Sequence, residues 1–557
     1  MRAPRLSAPL FALAAIAPLI ASLALATPAR AANPASSYAA MANDPLTPDQ
    51  GGVLESQLVD AIEASPPGSE IRIANPRMDK KVGTALAAAA KRGVLVHVVT
   101  DPKVVTKSTA KAAAALKAAL GTDTSADSFV YFTPTAAYQP SVTSSKMHAK
   151  TALFSDVGGS AVSVIGSQDL YPSVPEFEWD TALVTGNETI YRNLSTWFDG
   201  MTKHQTKSFS GKISAGALEL YLFPRQGDTS THNFFTDMLT PVSCAGGTKV
   251  DLMTYDWRKT MVSVAQRLAA LSRAGCAVRV ITYSTRTDPA VLQTLQRGGV
   301  PTHYSDHTTG GTAYLSHTKL IAIAGRYGGK SVYTTIQGSA NVALGSVKVY
   351  DDNMVRVKND RAVYDTYAGQ FNRVWKAGRT VPTVPTTLTG SYSPTAVAGR
   401  LRAAGGAVPG RTVRLQRYHS GGWHNVRTAT TDANGRVKWS IALRDPIRLV
   451  FAGATNLRAK NSATMRLTPT KLTVASHRAA VKGRLRSGGK GLAGRRIDLE
   501  RRVKGAWKTV GHRRTDRKGR ITWHVTGKGR VRLAYAGATG IAPATSASAT
   551  VVPPTKK

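Results

Sequence analysis

Alternation between apolar and polar positions divides this chain into two regions of different character. From about residue 50 to 378 the pattern switches repeatedly between period 2 and period 3.6. Glu70 to Pro76, EIRIANP, reads as a strand, ALAAAAKRG from Ala85 as a helix, and VLVHVVTD from Val94 as a strand. The same succession returns in KVDLMTYDW from Lys249, MVSVAQRLAALSRAG from Met261 and CAVRVITY from Cys276. Strand–helix–strand units of this length predict parallel pairing and an α/β fold built from two similar halves, 51–210 and 211–378. Beyond residue 388 only short alternating runs remain, such as TVRLQRY and RIDLERRV, separated by Gly-rich or Asp-X-X-Gly turns. They predict two small all-β sandwiches, 389–469 and 470–553, after a Pro/Thr linker at 379–388.

The β region is an internal repeat with a constant offset of 84 residues. Gly399 returns as Gly483, Trp423 as Trp507, Asp432 as Asp516, Trp439 as Trp523 and Ala452 as Ala536. This tail resembles the immunoglobulin-like modules appended to many secreted bacterial enzymes. The tryptophans are expected in the sandwich cores.

At the N-terminus, two arginines precede a run of Ala, Leu and Ile that ends in Ala29-Arg30-Ala31. This predicts a signal peptide over 1–31, an extracellular location and a Pro/Ala/Asn-rich tether over 32–50; an uncleaved membrane anchor is the alternative. Export gives the two cysteines meaning. Cys244 precedes one predicted strand and Cys276 opens another, so a disulfide would tie together the starts of neighbouring parallel strands. Of the formal +40 charge, +30 lies from Val381 onward, where 35 basic residues meet 5 acidic ones. That asymmetry predicts a module for an anionic partner: a membrane surface, nucleic acid or a cell-wall polymer.

Two runs carry the candidate chemistry, SSKMHAKTALF and LSHTKLIAIA. The first places His148 and Lys150 two residues apart, on one face of a predicted strand; the second does the same with His317 and Lys319. Gly166-Ser167-Gln168-Asp169 follows in the first half and Gly338-Ser339-Ala340-Asn341 in the second. Asp180 stands eleven residues after Asp169, and Asp352 eleven after Asn341. Each half therefore offers imidazole, ammonium, hydroxyl, a short polar side chain and a carboxylate in one order. A phosphodiester needs fixed positive charge around its oxygens, a nucleophile, and a proton donor for the leaving oxygen. Two imidazoles and two ammonium groups supply these, and a carboxylate behind each ring would hold its tautomer. The chemistry requires no metal, no cofactor is expected, and the sequence shows no cluster of zinc ligands.

In these motifs the core, roughly 50–378, resembles the phospholipase D superfamily. The resemblance implies two halves meeting at one site and a phosphohistidine intermediate. His148 would be the nucleophile, His317 the general acid and base, Lys150 and Lys319 phosphate clamps, and Asp180 and Asp352 orienting groups. Ser167, Asp169, Ser339 and Asn341 would stand at the substrate. The chain departs from the family pattern at Ser155 and Ala324, where an Asp is expected, and at Asp169, where Asn is expected; an anion there would repel substrate unless it pairs with a lysine. The leading reading is a secreted phospholipase that hydrolyses, or transfers, phospholipid headgroups at membrane surfaces, because both halves lie in one chain; the alternatives are a nuclease with the same chemistry and a polyanion-binding surface protein with an impaired core. A monomer is expected, because both halves lie in one chain.

Overall fold

The computed structural model describes residues 38–102, 107–171, 174–203 and 205–552. The expected signal peptide lies outside them. The chain divides into two compact units, the first ending at Pro382 and the second beginning at Thr383.

The first unit contains two large sheets of one topology. One comprises β1 (Tyr38–Ala42), β2 (Glu70–Ala74), β3 (Leu95–Thr100), β4 (Phe129–Phe132), β5 (Thr151–Phe154), β6 (Val162–Gly166) and β7 (Thr181–Thr185), in the order β1-β7-β6-β5-β2-β3-β4. The other comprises β8 (Leu218–Leu222), β9 (Lys249–Thr254), β10 (Ala277–Thr282), β11 (Thr302–Tyr304), β12 (Leu320–Tyr327), β13 (Lys330–Gly338) and β14 (Asn353–Val357). Its order is β8-β14-β13-β12-β9-β10-β11, with Ile213–Ala215 added beside β8 and Arg379–Thr380 beside β11.

Within these two sheets the described strands pair in parallel where helices cross over, along β2-β3-β4 and β9-β10-β11. The β5-β6 and β12-β13 pairs are antiparallel. Ile71 and Ile73 of β2 alternate into the core, and helix α1 (Lys80–Lys91) covers them with Val82, Leu86 and Ala89. The Asp79 carboxylate caps that helix by accepting the Val82 N–H at 2.7 Å. One core joins the halves: Ile165 and Leu183 of the first share it with Leu320, Val355 and Phe371 of the second. The Cys244–Cys276 disulfide is present, and each cysteine lies just before a strand of the parallel β9-β10 pair.

Two boundary readings are corrected. The expected tether contains β1, which pairs antiparallel with β7 from Tyr38↔Thr185 to Ala42↔Thr181. YAAMA has too little alternation to announce a strand; docking on β7 makes it one. The expected linker over 379–388 is shorter than read. Arg379–Thr380 extends the second sheet, anchored by Arg379 to Asp306 at 2.6 Å, and Thr386 already opens the first strand of the second unit.

In the second unit each repeat is a pair of antiparallel sheets around its own core. The 84-residue offset holds for the elements too: Ala396–Ala403 corresponds to Ala480–Ser487, and Thr412–His419 to Arg496–Val503. Trp439 and Trp523 are buried. Trp423 and Trp507 are not core residues but lie partly exposed, each under an arginine, Arg448 at 4.3 Å and Arg532 at 4.5 Å.

Candidate active site

The two His-X-Lys segments are extended but belong to no strand; each leads into one, β5 and β12. Their backbones pair across the halves. The His148 N–H donates to the Asp351 carbonyl at 3.1 Å, and the His317 N–H donates to the Trp179 carbonyl at 3.0 Å. Each segment is thus held against the residue preceding the other half's aspartate. The Thr151 hydroxyl, accepting from the Asn353 side chain at 2.6 Å, strengthens one of these junctions.

This crossing decides which carboxylate serves which ring. Asp352, from the second half, meets Nδ1 of His148 at 2.8 Å. Asp180, from the first half, lies 3.8 Å from Nδ1 of His317, which donates instead to the Ser167 carbonyl at 2.9 Å. With carboxylate or carbonyl oxygens as partners, Nδ1 carries the proton in both rings and Nε2 is the basic nitrogen. His148 and His317 line one cleft of about 610 Å³, together with Asp169 and Asn341.

Ser167 and Ser339, expected at the substrate, do not line that cleft. Both are fully buried and act as braces. The Ser167 hydroxyl donates to Asp180 at 2.6 Å and the Ser339 hydroxyl to Asp352 at 2.5 Å. Each hydroxyl in turn accepts a backbone N–H, Thr181 for Ser167 and Asn353 for Ser339, both at 3.0 Å. At Gly338, φ is +153° and an added Cβ would meet the Asn353 carbonyl oxygen at 2.3 Å. Asn341 lines the cleft while its Oδ1 accepts the Asp256 N–H at 3.1 Å.

Both lysines are buried and, like the serines, do not line the cleft. Lys150 donates to its own half's His148 carbonyl at 2.7 Å and pairs with Asp169 at 3.1 Å. Lys319 donates to the His317 carbonyl and sits 5.7 Å from the centre of the Tyr255 ring. Asp169, the departure from the family pattern, is thus paired, and Arg77 adds a second contact at 3.5 Å.

Burial sets the electrostatics. It pushes the His148 ring below its ordinary value, Lys150 adds to this, and Asp352 opposes it. His317 goes further down, by burial and then by Lys319. Lys319 itself is pushed down to about 7 by burial and by Lys150. Burial raises Asp180 to about 6 against the pull of Lys319. Glu178 is raised well above the carboxylate range by burial and by Asp180. For Asp169 burial acts upward, but Lys150, the two histidines and Arg77 together hold it well below that range. Both imidazoles are therefore biased toward the neutral form, and Glu178 and Asp180 toward the protonated form.

Sequence reasoning missed Glu178, Tyr350 and Asn43. Glu178 and Tyr350 each stand two residues before the orienting aspartate of their half, and both line the cleft. Extending the comparison of the halves by two positions would have found them. Asn43, in the supposed tether, accepts the Asp180 N–H at 2.6 Å. Among the described residues, Glu178, Asp180 and His317 bring ligand atoms within 4.8 Å of one another, a spacing that could take a cation. The Lys319 ammonium already acts on both of those carboxyls.

The family model of the cardiolipin synthase, phospholipase D-like domain matches residues 58–202 and 243–375, the two halves in turn. The core belongs to the phospholipase D superfamily. That superfamily is one of phosphodiesterase- and phosphotransferase-type enzymes. No curated protein matches the sequence. Among solved structures, polyphosphate kinase from Porphyromonas gingivalis is similar at 14% identity and a TM-score of 0.41, over 61% of this chain and 50% of that one. Phosphatidylserine synthase from Haemophilus influenzae is similar at 10% identity and a TM-score of 0.44, over 62% of this chain and 87% of that one. Nuc, a phospholipase D family member from Salmonella typhimurium, is similar at 17% identity and a TM-score of 0.24, over 29% of this chain and 97% of that one. This chain spans half the length of that kinase.

Proposed function

We propose that the protein is an exported phosphodiesterase working through a phosphohistidine on His148, with nucleic-acid diesters as its substrate class. The observation that supports this reading best is the single cleft holding both imidazoles, each oriented from the other half. In the first step Nε2 of His148 attacks phosphorus, an N–P bond forms and the bond to the leaving oxygen breaks. His317, first protonated at Nε2 by way of the Glu178/Asp180 pair, gives that oxygen the proton and is left neutral. In the second step His317 takes a proton from water, whose oxygen displaces His148 from phosphorus. Lys150 and Lys319 stabilise the charge on the non-bridging oxygens, and general acid catalysis of this kind contributes roughly 10²–10⁴-fold. Export is supported by the disulfide.

Nucleic acid is preferred over phospholipid because of the cleft walls. They carry Arg77, Lys146, Arg258 and Arg286 with Tyr171, Tyr255 and Tyr350, a combination suited to phosphates and stacked bases. An apolar cavity beside Lys150 has room for only about 60 Å³, far below an acyl chain. Among the described residues of the first unit, Leu46 is the one large hydrophobic side chain that is exposed. A phospholipid headgroup is the second reading, favoured by the name of the matching family model.

The test incubates the full chain in EDTA with plasmid DNA, with a single-stranded oligonucleotide and with phosphatidylcholine vesicles, each beside His148→Ala. DNA cleavage lost in the variant, with acid-labile, alkali-stable phosphate on the protein, is the expected result. Cleavage of vesicles alone would replace nucleic acid by lipid, and activity surviving in His148→Ala would remove the mechanism.

A further inference from the structure

The second unit's basic residues are not spread evenly. In the first repeat, strands Thr386–Ser393, Ala396–Ala403 and Arg436–Ser440 form one sheet. Val397, Leu401, Val437 and Trp439 alternate into the core, so Arg400, Arg402, Arg436 and Lys438 stand on the outer face. The second repeat has Lys482, Arg484, Arg486 and Arg520 on the corresponding face, with Lys471 beside them.

Within these faces like charges sit directly opposite each other. Arg400 pairs in register with Arg436, Arg484 with Arg520, and Lys471 with Arg486. Directly opposed like charges destabilise a sheet. Among the described residues, none of these cations has a carboxylate within salt-bridge distance; the ion pairs of this unit involve Asp445, Asp498 and Glu500, beside the other sheet of each repeat. The two remaining acids, Asp432 and Asp516, accept turn N–H groups. Arg400 and Arg484 are even posed alike, donating to the Asn434 carbonyl at 3.3 Å and the Lys518 carbonyl at 3.2 Å.

We propose that this outer face of each repeat is a docking platform for the phosphate backbone of double-stranded nucleic acid. Three of its cations are arginine at equivalent positions in both repeats, and arginine grips phosphate through two parallel N–H bonds. Thr387, Thr389 and Thr473 add hydroxyls on the same face. Among the described residues no Phe, Tyr or Trp joins them; the rings on the face are the imidazoles of His477 and His524 at one end of the second repeat, so the first repeat's face has no ring on which to stack unpaired bases. Nor does it carry a large apolar side chain to enter a bilayer; the exposed Tyr418, Val503 and Val510 belong to the other sheets. A duplex presents one charge per roughly 1.7 Å and keeps its bases inward, which matches a flat surface that reads charge alone.

The test measures binding of a fluorescent 20-base-pair duplex to the full chain, in a His148→Ala background so that cleavage cannot interfere. Four contacts from one platform predict a log–log salt slope of about −3.6, a loss of roughly 10²-fold between 50 and 200 mM salt. Replacing Arg400, Arg402, Arg436, Arg484, Arg486 and Arg520 by Ser should abolish that binding and raise the melting temperature of the unit. Replacing six cations of the other sheets by Ser (Arg414, Arg417, Arg427, Arg502, Lys508 and Arg513) should change affinity less than about threefold while removing the same charge. Equal losses in the two variants would overturn the platform in favour of diffuse charge. Tighter binding to phosphatidylglycerol vesicles than to duplex, lost in the first variant, would overturn the choice of partner. If the sixfold variant misfolds, Arg436→Ser with Arg520→Ser serves instead; unchanged duplex affinity there would refute the platform. Cleavage by the core is read separately, so failure of one proposal does not count against the other.

Discussion

Replacing Asp169 by Asn isolates the feature that most separates this site from its family pattern. The Asp169 carboxylate lies 3.1 Å from the Lys150 ammonium. A substrate oxygen bonded to the same ammonium at about 2.8 Å would lie no farther than about 6 Å from that carboxylate. At an effective dielectric constant of about 20, two unit charges at 6 Å repel by roughly 3 kcal/mol, and water in the open cleft takes away part of it. Asp169→Asn should therefore tighten inhibition by inorganic phosphate or vanadate by about 10- to 100-fold. It should also cost stability without ligand, because Lys150 would lose its partly buried counter-ion, a change worth up to roughly 3–5 kcal/mol. Thermal unfolding with and without phosphate measures both effects, and phosphate should restore much of the loss. An inhibition constant that stays the same or weakens would mean that the phosphate does not sit against Lys150.

Other outcomes follow from the same geometry. His317→Ala should slow natural diesters by about 10²–10⁴-fold but largely spare p-nitrophenyl esters, whose leaving group needs no proton; equal losses on both would remove the acid role. In kcat/KM against pH, the depressed His148 keeps the acidic limb below the ordinary imidazole value, because that ring stays neutral and nucleophilic there. The alkaline limb should fall near pH 7 as Lys319 loses its charge, and Lys319→Arg should carry it upward. Protonation of the depressed His148 and His317 rings in acid also favours the unfolded chain, so stability should drop as pH falls through and below about 6.5. Cys244→Ser with Cys276→Ser opens a loop of 32 residues' separation and should cost about 3–4 kcal/mol in denaturant unfolding. A chain ending at Pro382 should fold and retain activity on soluble diesters.

Local pattern alone determined the doubled α/β core, the β repeats and the identity of the histidines, lysines and aspartates, because alternation, periodicity and residue spacing are written along one dimension. The strand at Tyr38–Ala42 escaped that reading, since its extended form comes from pairing with β7 and not from its own residues. The wiring of the site escaped it too. Ser167 and Ser339 are spaced like substrate groups, yet burial turns their hydroxyls onto Asp180 and Asp352. Asp352 serves the histidine 204 residues before it, not the one in its own half. Only the packing of two sheets into one core brings those groups within bonding distance, and such distances are properties of the folded chain that no spacing along the backbone encodes.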